Sequence, residues 1–382
     1  MRATIGLTFS AAIAMVAAQP TRAQDVAPRP GRPLSGSFIC TFASGAISRG
    51  TEEAEASAVA ASAGGRVLHV YRTAIRGFAV MLPDQAVSAL TRNPKVEACE
   101  QDQIMEIIPI RAEARTTKGG ATTNQPGQEI PWGIARVGFG SETQTFATAW
   151  VIDTGIDNSH PDLRVDGMRS RSFLGAGTTF VDQNGHGTHV AGTIAARDNS
   201  IGVIGVAPGA TLVAVRVLDR SGSGTTSGVI AGIDYVASNA RSGDVANLSL
   251  GGGASTMLDN AVTNAAAKGI RFAIAAGNSG AFAGNYSPAR ANGPNIYTVS
   301  AFGAGDTFAS FSNFGNPPVD YAEPGVSIYS TWLGGTYKTI SGTSMASPHL
   351  AGLLLLGTVA NGGQVVGDKD AIPDVIGVAN AR

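Results

Sequence analysis

The sequence predicts an α/β protein in which a mostly parallel sheet is flanked by helices, preceded by a smaller α+β unit. Three observations carry this expectation. Short apolar runs, Ala149 to Ile152 and Leu212 to Leu218 among them, end at polar residues or glycines and lead toward helix-like segments, as buried parallel strands do. The composition, 43% hydrophobic and 14% charged with 50 glycines, suits a close-packed core with many tight turns. From Gly36 to Ile108 the pattern changes to short strands alternating with short helices.

In chain order, Met1 and Arg2 precede an apolar stretch from Ile5 to Ala18, too short to span a bilayer and long enough for a signal-peptide core. Residues 1–23 are therefore expected to direct export, with small residues allowing cleavage after Ala18 or after Ala23. No later segment is long and apolar enough to be transmembrane, so a secreted product is expected, in the medium or the periplasm. Residues 24–35, rich in proline and arginine, read as a linker. Within 36–108 the pattern predicts a strand at Phe38–Phe42, a helix at Glu52–Ala63, strands at Val67–Tyr71 and Gly77–Leu82, a helix at Asp84–Leu90 and a strand at Val96–Gln103. Residues 109–130, rich in threonine, glycine and glutamine, read as an exposed linker, and 131–382 as one compact domain.

Three segments of that domain carry chemistry. VIDTGID at 151–157 predicts a buried strand ending at Asp153, with Thr154 and Gly155 as its exit turn. NGHGTHVAG at 184–192 puts His186 at the start of a buried helix. SGTSMASPHLAG at 341–352 puts Ser344 at the start of another, running to Leu356, with Pro348 tolerable only in its first turn. A serine hydroxyl is a weak nucleophile and needs a base in reach and a third group to orient that base. Alone, each segment is also what a turn or a helix cap supplies; together they supply every part. His186 and His189 lack a carboxylate or cysteine at ligand spacing, which argues against a metal pair.

At these residues the chain resembles the subtilisin-like serine peptidases, and its downstream wording is similar to the proteinase K branch. The resemblance implies a subtilisin-like fold in which Asp153 orients the imidazole, His186 is general base and then acid, and Ser344 is the nucleophile. It makes His189 structural and, in AIAAGNSG at 273–280, makes Asn278 an oxyanion donor. It places the pocket for the residue before the scissile bond between Ser249, Leu250 and Gly251 on one side and Ala275, Ala276 and Gly277 on the other. Gly222, Ser223 and Gly224 become an edge that pairs with extended substrate; their spacing does not fit a dinucleotide loop. No carboxylate occurs in 247–253 or 273–280, so an apolar or aromatic residue is the expected choice over a basic one. Broad specificity follows from binding through the backbone.

The segment 36–108 resembles the family's inhibitory propeptide, especially GFAVMLPDQAVSAL at 77–90 and NPKVEACEQD at 93–102. That implies a ferredoxin-like unit acting as inhibitor and folding aid, with self-cleavage in 109–130. The two cysteines, Cys40 and Cys99, both lie in it; a disulfide between neighbouring strands and two buried free thiols are both compatible with the sequence. Pro294, Ile296 and Asp320 fall where the proteinase K branch holds a structural calcium ion, although the loop before them is longer. No catalytic cofactor is expected. The partners expected are polypeptide substrates and the chain's own propeptide, and the enzyme is expected to be monomeric. The net charge of -1 gives no reason to invoke nucleic acid or an anionic membrane. The tail after 358 is short, so the family's closing helix is expected to be missing or rebuilt. A catalytically silent binding protein and an esterase are the alternatives from other classes.

Overall fold

A computed structural model describes Met1, residues 31–108, the backbone of 111–117, and 125–380. The expected signal peptide, most of the first linker and part of the second lie outside the described residues.

The first unit runs β1 (Pro33–Phe42), α1 (Glu52–Ser62), β2 (Arg66–Tyr71), β3 (Gly77–Met81), α2 (Val87–Thr91) and β4 (Val96–Ile107). Its antiparallel strands lie in the order β4, β1, β3, β2, the ferredoxin-like order. The period of two along each strand sorts side chains by destination. Phe38, Cys40, Phe42, Phe78 and Val80 face α1 and α2 in a core of their own. Ile39, Ala79 and Met105 join the core of the second unit.

Two strands are longer than the sequence pattern predicts. β1 begins at Pro33, because Pro33 pairs with Gln103. β4 continues past Gln103, because Ile104 to Ile107 find partner strands in the second unit. The predicted Asp84–Leu90 helix is a 3-10 turn at Asp84–Ala86 followed by α2. Cys40 and Cys99 face each other across β1 and β4 and form a disulfide, which settles the alternative left open by the sequence.

The second unit is built on a sheet whose strands lie in the order Arg171–Ser172, Leu212–Arg216, Ala149–Asp153, Val245–Leu248, Arg271–Ala275, Ile296–Gly303, Val319–Pro324 and Val375–Ala379. Neighbours along this path are parallel. Both faces are covered, which is why the strands read as continuous apolar runs. Trp150 and Ile152 pack toward α5 (Thr226–Asn239) and α6 (Thr256–Ala266). Ala149 and Val151 pack toward α3 (Trp132–Val137), α4 (His186–Ala195) and α7 (Thr343–Leu356). After α7 the chain forms the antiparallel pair Val359–Gln364 and Val375–Ala379, the latter joining the sheet beside Val319–Pro324. The tail is thus rebuilt as strands. No helix among the described residues is long and apolar enough to cross a membrane.

Candidate active site

Asp153 ends its strand, fully buried, and the first residue of α4 meets it there. His186 Nδ1 lies 2.8 Å from Asp153 Oδ1 and 2.9 Å from Oδ2. A carboxylate oxygen accepts, so Nδ1 carries a proton and Nε2 is the ring nitrogen turned away from Asp153. Asp153 Oδ1 also accepts the Thr154 N–H at 2.7 Å, and Thr154 Oγ1 accepts the Gly187 N–H at 2.9 Å. Gly187 has to be glycine, since a Cβ there would overlap Gly155 O. Asp182, which the sequence reading missed, holds the head of α4 by accepting the N–H groups of Asn184, Gly185 and Thr188 and the Thr188 hydroxyl. An aspartate four residues ahead of the histidine was the available signal.

Ser344 lies in the first turn of α7, fully buried. Its hydroxyl donates to Ser249 O at 3.2 Å, and its carbonyl accepts from Ser249 Oγ at 2.9 Å. The second bond corrects the reading of Pro348. α7 starts at Thr343, which puts Pro348 in its second turn; the proline offers no N–H to the carbonyl four residues back, and Ser249 supplies the missing donor. Asn247 Nδ2 donates to Ser249 Oγ in turn, at 2.8 Å. His186 Nε2 is buried with no hydrogen-bond partner among the described residues.

Asn278 is brought to the same corner. Its Oδ1 accepts the Thr343 N–H at 2.8 Å and the Thr343 hydroxyl at 2.9 Å, which fixes the amide with Nδ2 on the side away from Thr343. Thr343, which sequence reasoning did not single out, therefore orients Asn278. His189 behaves as a structural residue: Nε2 faces two carbonyls, Ile328 O at 3.0 Å and Lys338 O at 3.1 Å, and burial lowers its pKa to about 3.

The predicted binding residues form a cleft, and the first unit fills it. Residues 104–106 pair antiparallel with Ser223–Thr225, and Ile107 and Glu106 pair with Leu250 and Gly251. Ile107 N donates to Gly222 O at 2.8 Å. Ile108 borders a cavity of about 60 Å³ lined also by Gly251, Gly252, Ala275, Ala276 and Gly277. Ser249 and Leu250 do not line it; Ser249 is committed to Ser344, and Leu250 is buried in the core. Ser287 and Ala289 also line it, reached from a distant segment without a sequence signal.

Further contacts seat the first unit. Asp102 accepts the Ser227 N–H at 3.0 Å and its hydroxyl at 2.5 Å at the head of α5, and Glu100 accepts the Met257 N–H at 3.3 Å at the head of α6. Helix N-termini present unpaired N–H groups and favour negative charge. Asp234 of α5 reciprocates, accepting the N–H groups of Arg72, Thr73 and Ala74.

The metal candidates are less developed. Asp320 Oδ2 accepts the Thr298 N–H at 2.9 Å, and desolvation raises its carboxyl pKa to about 6. No group of three or more histidine, cysteine or acidic residues among the described residues is arranged to hold a metal ion.

A buried aspartate–histidine pair and a helix-borne serine on one parallel sheet, with an extended strand in a cleft, are the parts a serine hydrolase needs. Comparison with known proteins gives the family. Residues 149–363 match the subtilase family and residues 37–107 match peptidase inhibitor I9. The chain is 43% identical over 303 residues to alkaline serine exoprotease A of Vibrio alginolyticus, a match covering 76% of this chain and 53% of that protein. It is 42% identical to subtilisin-like serine protease AsES of Sarocladium strictum, over 76% of this chain and 72% of that protein. It is 38% identical to proteinase R of Parengyodontium album, over 80% and 76%. A cold-adapted subtilisin-like serine proteinase of known structure is 45% identical, with a TM-score of 0.55 over 62% of this chain and 89% of that one. The chain thus spans about half the length of the Vibrio protein and about three quarters of the Sarocladium and Parengyodontium ones. It belongs to the subtilase family of serine endopeptidases and carries an I9 inhibitor unit ahead of its peptidase domain.

Proposed function

We propose that this protein is a secreted endopeptidase, made as a self-processing zymogen, that cleaves polypeptides after apolar or aromatic residues. Ser344 Oγ passes its proton to His186 Nε2 and attacks the carbonyl; Asp153 holds the imidazole and stabilises its charged form. Asn278 Nδ2 and the Ser344 N–H receive the oxyanion, His186 returns the proton to the leaving amine, and water repeats the sequence on the acyl-enzyme. This requires the Ser344 hydroxyl to turn from Ser249 O toward the unpartnered His186 Nε2; catalytic hydrogen bonds commonly form only once substrate is positioned.

The observation that carries the reading is residues 104–108 running extended between two strand edges with Ile108 at the cavity, since a polypeptide is what that cleft already holds. The cavity lining contains no acidic or basic side chain, which favours apolar residues over arginine or lysine. Secretion is supported by the apolar leader and by a relative named as an extracellular serine proteinase, from Thermus. The mature enzyme is taken to be a monomer, with residues 1–23 removed on export and 36–108 released by cleavage within 109–130.

Structural calcium at Asp320 with the carbonyls of Pro294 and Ile296 is supported by the desolvated carboxylate, which a cation would compensate. A chelator is expected to lower the melting temperature of the mature wild type and to leave Asp320→Asn unaffected; equal responses would remove the calcium assignment.

The test of function is the intact mass of the purified chain and its activity on a protein substrate, wild type beside Ser344→Ala. Triad members act as a unit, so the variant is expected to keep its propeptide and retain only about 10³–10⁴ over the uncatalysed rate. A wild type that stays whole and inactive on protein would sink the proposal.

A further inference from the structure

The chain forms paired strands both before and after residue 108. Upstream, residues 104–107 pair with Ser223–Thr225 and Leu250–Gly251. Downstream, the backbone of Arg111–Thr117 pairs antiparallel with Thr336–Ser341, with Arg111 opposite Ser341, three residues before Ser344. Two paired segments of one chain, 104–107 and 111–117, thus lie before and after the bond that follows Ile108.

The register identifies the carbonyl offered for attack. Ile107 donates its N–H to Gly222 O and pairs with Leu250, and Ile108 is the next residue. A Cβ at Gly251 would lie 3.7 Å from Ile108 Cγ1, so Ile108 is the side chain seated against the pocket wall. The carbonyl offered to the nucleophile is thus that of Ile108, and the amine it would release is, by sequence, Pro109.

We propose that Ile108 followed by Pro109 makes the cleft strand a substrate-like inhibitor that the enzyme holds without cutting, so that self-processing takes place at a bond beyond Pro109. Cleavage would join Ser344 Oγ to the Ile108 carbonyl carbon, break the bond to nitrogen and deliver the His186 proton to that nitrogen. A prolyl nitrogen is tertiary and carries Cδ where another residue carries hydrogen. That substituent hinders protonation of the leaving nitrogen, and a proline also restricts the backbone of the residue before it. The pairing of residues 104–107 is that of a bound substrate, so the residue after Ile108 is where inhibitor and substrate differ. The proposal deepens the zymogen reading and rests on it.

The experiment compares the wild type with Pro109→Ala as full chains, each beside a Ser344→Ala counterpart as control, by N-terminal sequencing and intact mass against time. The wild type is expected to yield first N-termini beyond residue 109. The Pro109→Ala chain is expected to be cut after Ile108, exposing the introduced alanine as the new N-terminus, at least about tenfold faster. Peptides spanning residues 100–115, offered to the mature enzyme, provide a readout free of zymogen folding. The natural peptide should compete with substrate and survive at Ile108, while the same peptide carrying Pro109→Ala should be cut there. A mature wild type beginning at Pro109, or equal cleavage of both peptides after Ile108, overturns the proposal. Failure of the underlying zymogen reading looks different: neither chain would process, and neither would hydrolyse protein.

Discussion

Asp234→Ala tests how the inhibitor unit is held, without touching the catalytic residues. Asp234 is on α5 and 8% exposed, and its carboxylate accepts the Thr73 and Ala74 N–H groups at 2.7 Å each and the Arg72 N–H at 3.1 Å. Hydrogen bonds to a charged group are worth about 1.5–3 kcal/mol each when buried. Water can reach the loop once the carboxylate is gone, so about 1 kcal/mol each is the better figure, or ~3 kcal/mol in all. At 1.4 kcal/mol per factor of ten this predicts propeptide binding weakened about a hundredfold. The assay titrates one propeptide preparation against mature wild type and mature Asp234→Ala, so the folding cost of the free propeptide cancels. The inhibition constant should rise by that factor while kcat/KM on a short substrate stays unchanged. An inhibition constant within about threefold of wild type would refute the reasoning, because it would mean that three charge-assisted bonds add nothing to docking.

Other consequences can be measured alongside. Asn278→Ala should lower kcat about a hundred- to a thousandfold with a small change in KM; an equal loss in KM alone would deny it the oxyanion role. Gly187→Ala forces α4 away from Gly155 and lengthens the Asp153–His186 contact, so turnover should fall by up to about a hundredfold in step with a lower melting temperature; full activity would mean that the helix absorbs the methyl group. Reductant should destabilise the inhibitor unit of the Ser344→Ala zymogen by about 2–4 kcal/mol and leave the mature domain, which has no cysteine, unaffected. Burial lowers the pKa of His189 to about 3 and of His349 to about 4, from 6.5. Their folded values are depressed, so their contribution to stability is complete above pH 6.5 and is lost as pH falls toward 4 and 3. Imidazole NMR signals of both should stay in the neutral position at about pH 5; titration near 6.5 would contradict their burial.

Much of the site was legible because its residues sit in local patterns. A strand ends at Asp153 since the apolar run stops there, and the glycines around His186 and Ser344 mark sharp entries into helices. Strand lengths were legible only where pairing stays within one unit. β4 reads as ending at Gln103 because the residues that follow take their partners from Ser223–Thr225 and Leu250–Gly251, far away in sequence. Pro348 reads as a constraint on where α7 begins; the constraint vanishes because Ser249 satisfies the orphaned carbonyl.

The sequence by itself determined the family, the two units and the local elements that carry Asp153, His186 and Ser344, because periodicity and glycine placement act over a few residues. Tertiary structure alone decided that Cys40 meets Cys99, that Thr343 orients Asn278, that Asp182 holds the head of α4, and that Ile108 faces the pocket. Each of these depends on elements distant in the chain approaching to within hydrogen-bond or van der Waals distance. Such approaches follow from how the sheet and its helices pack, and short-range patterns carry no record of them.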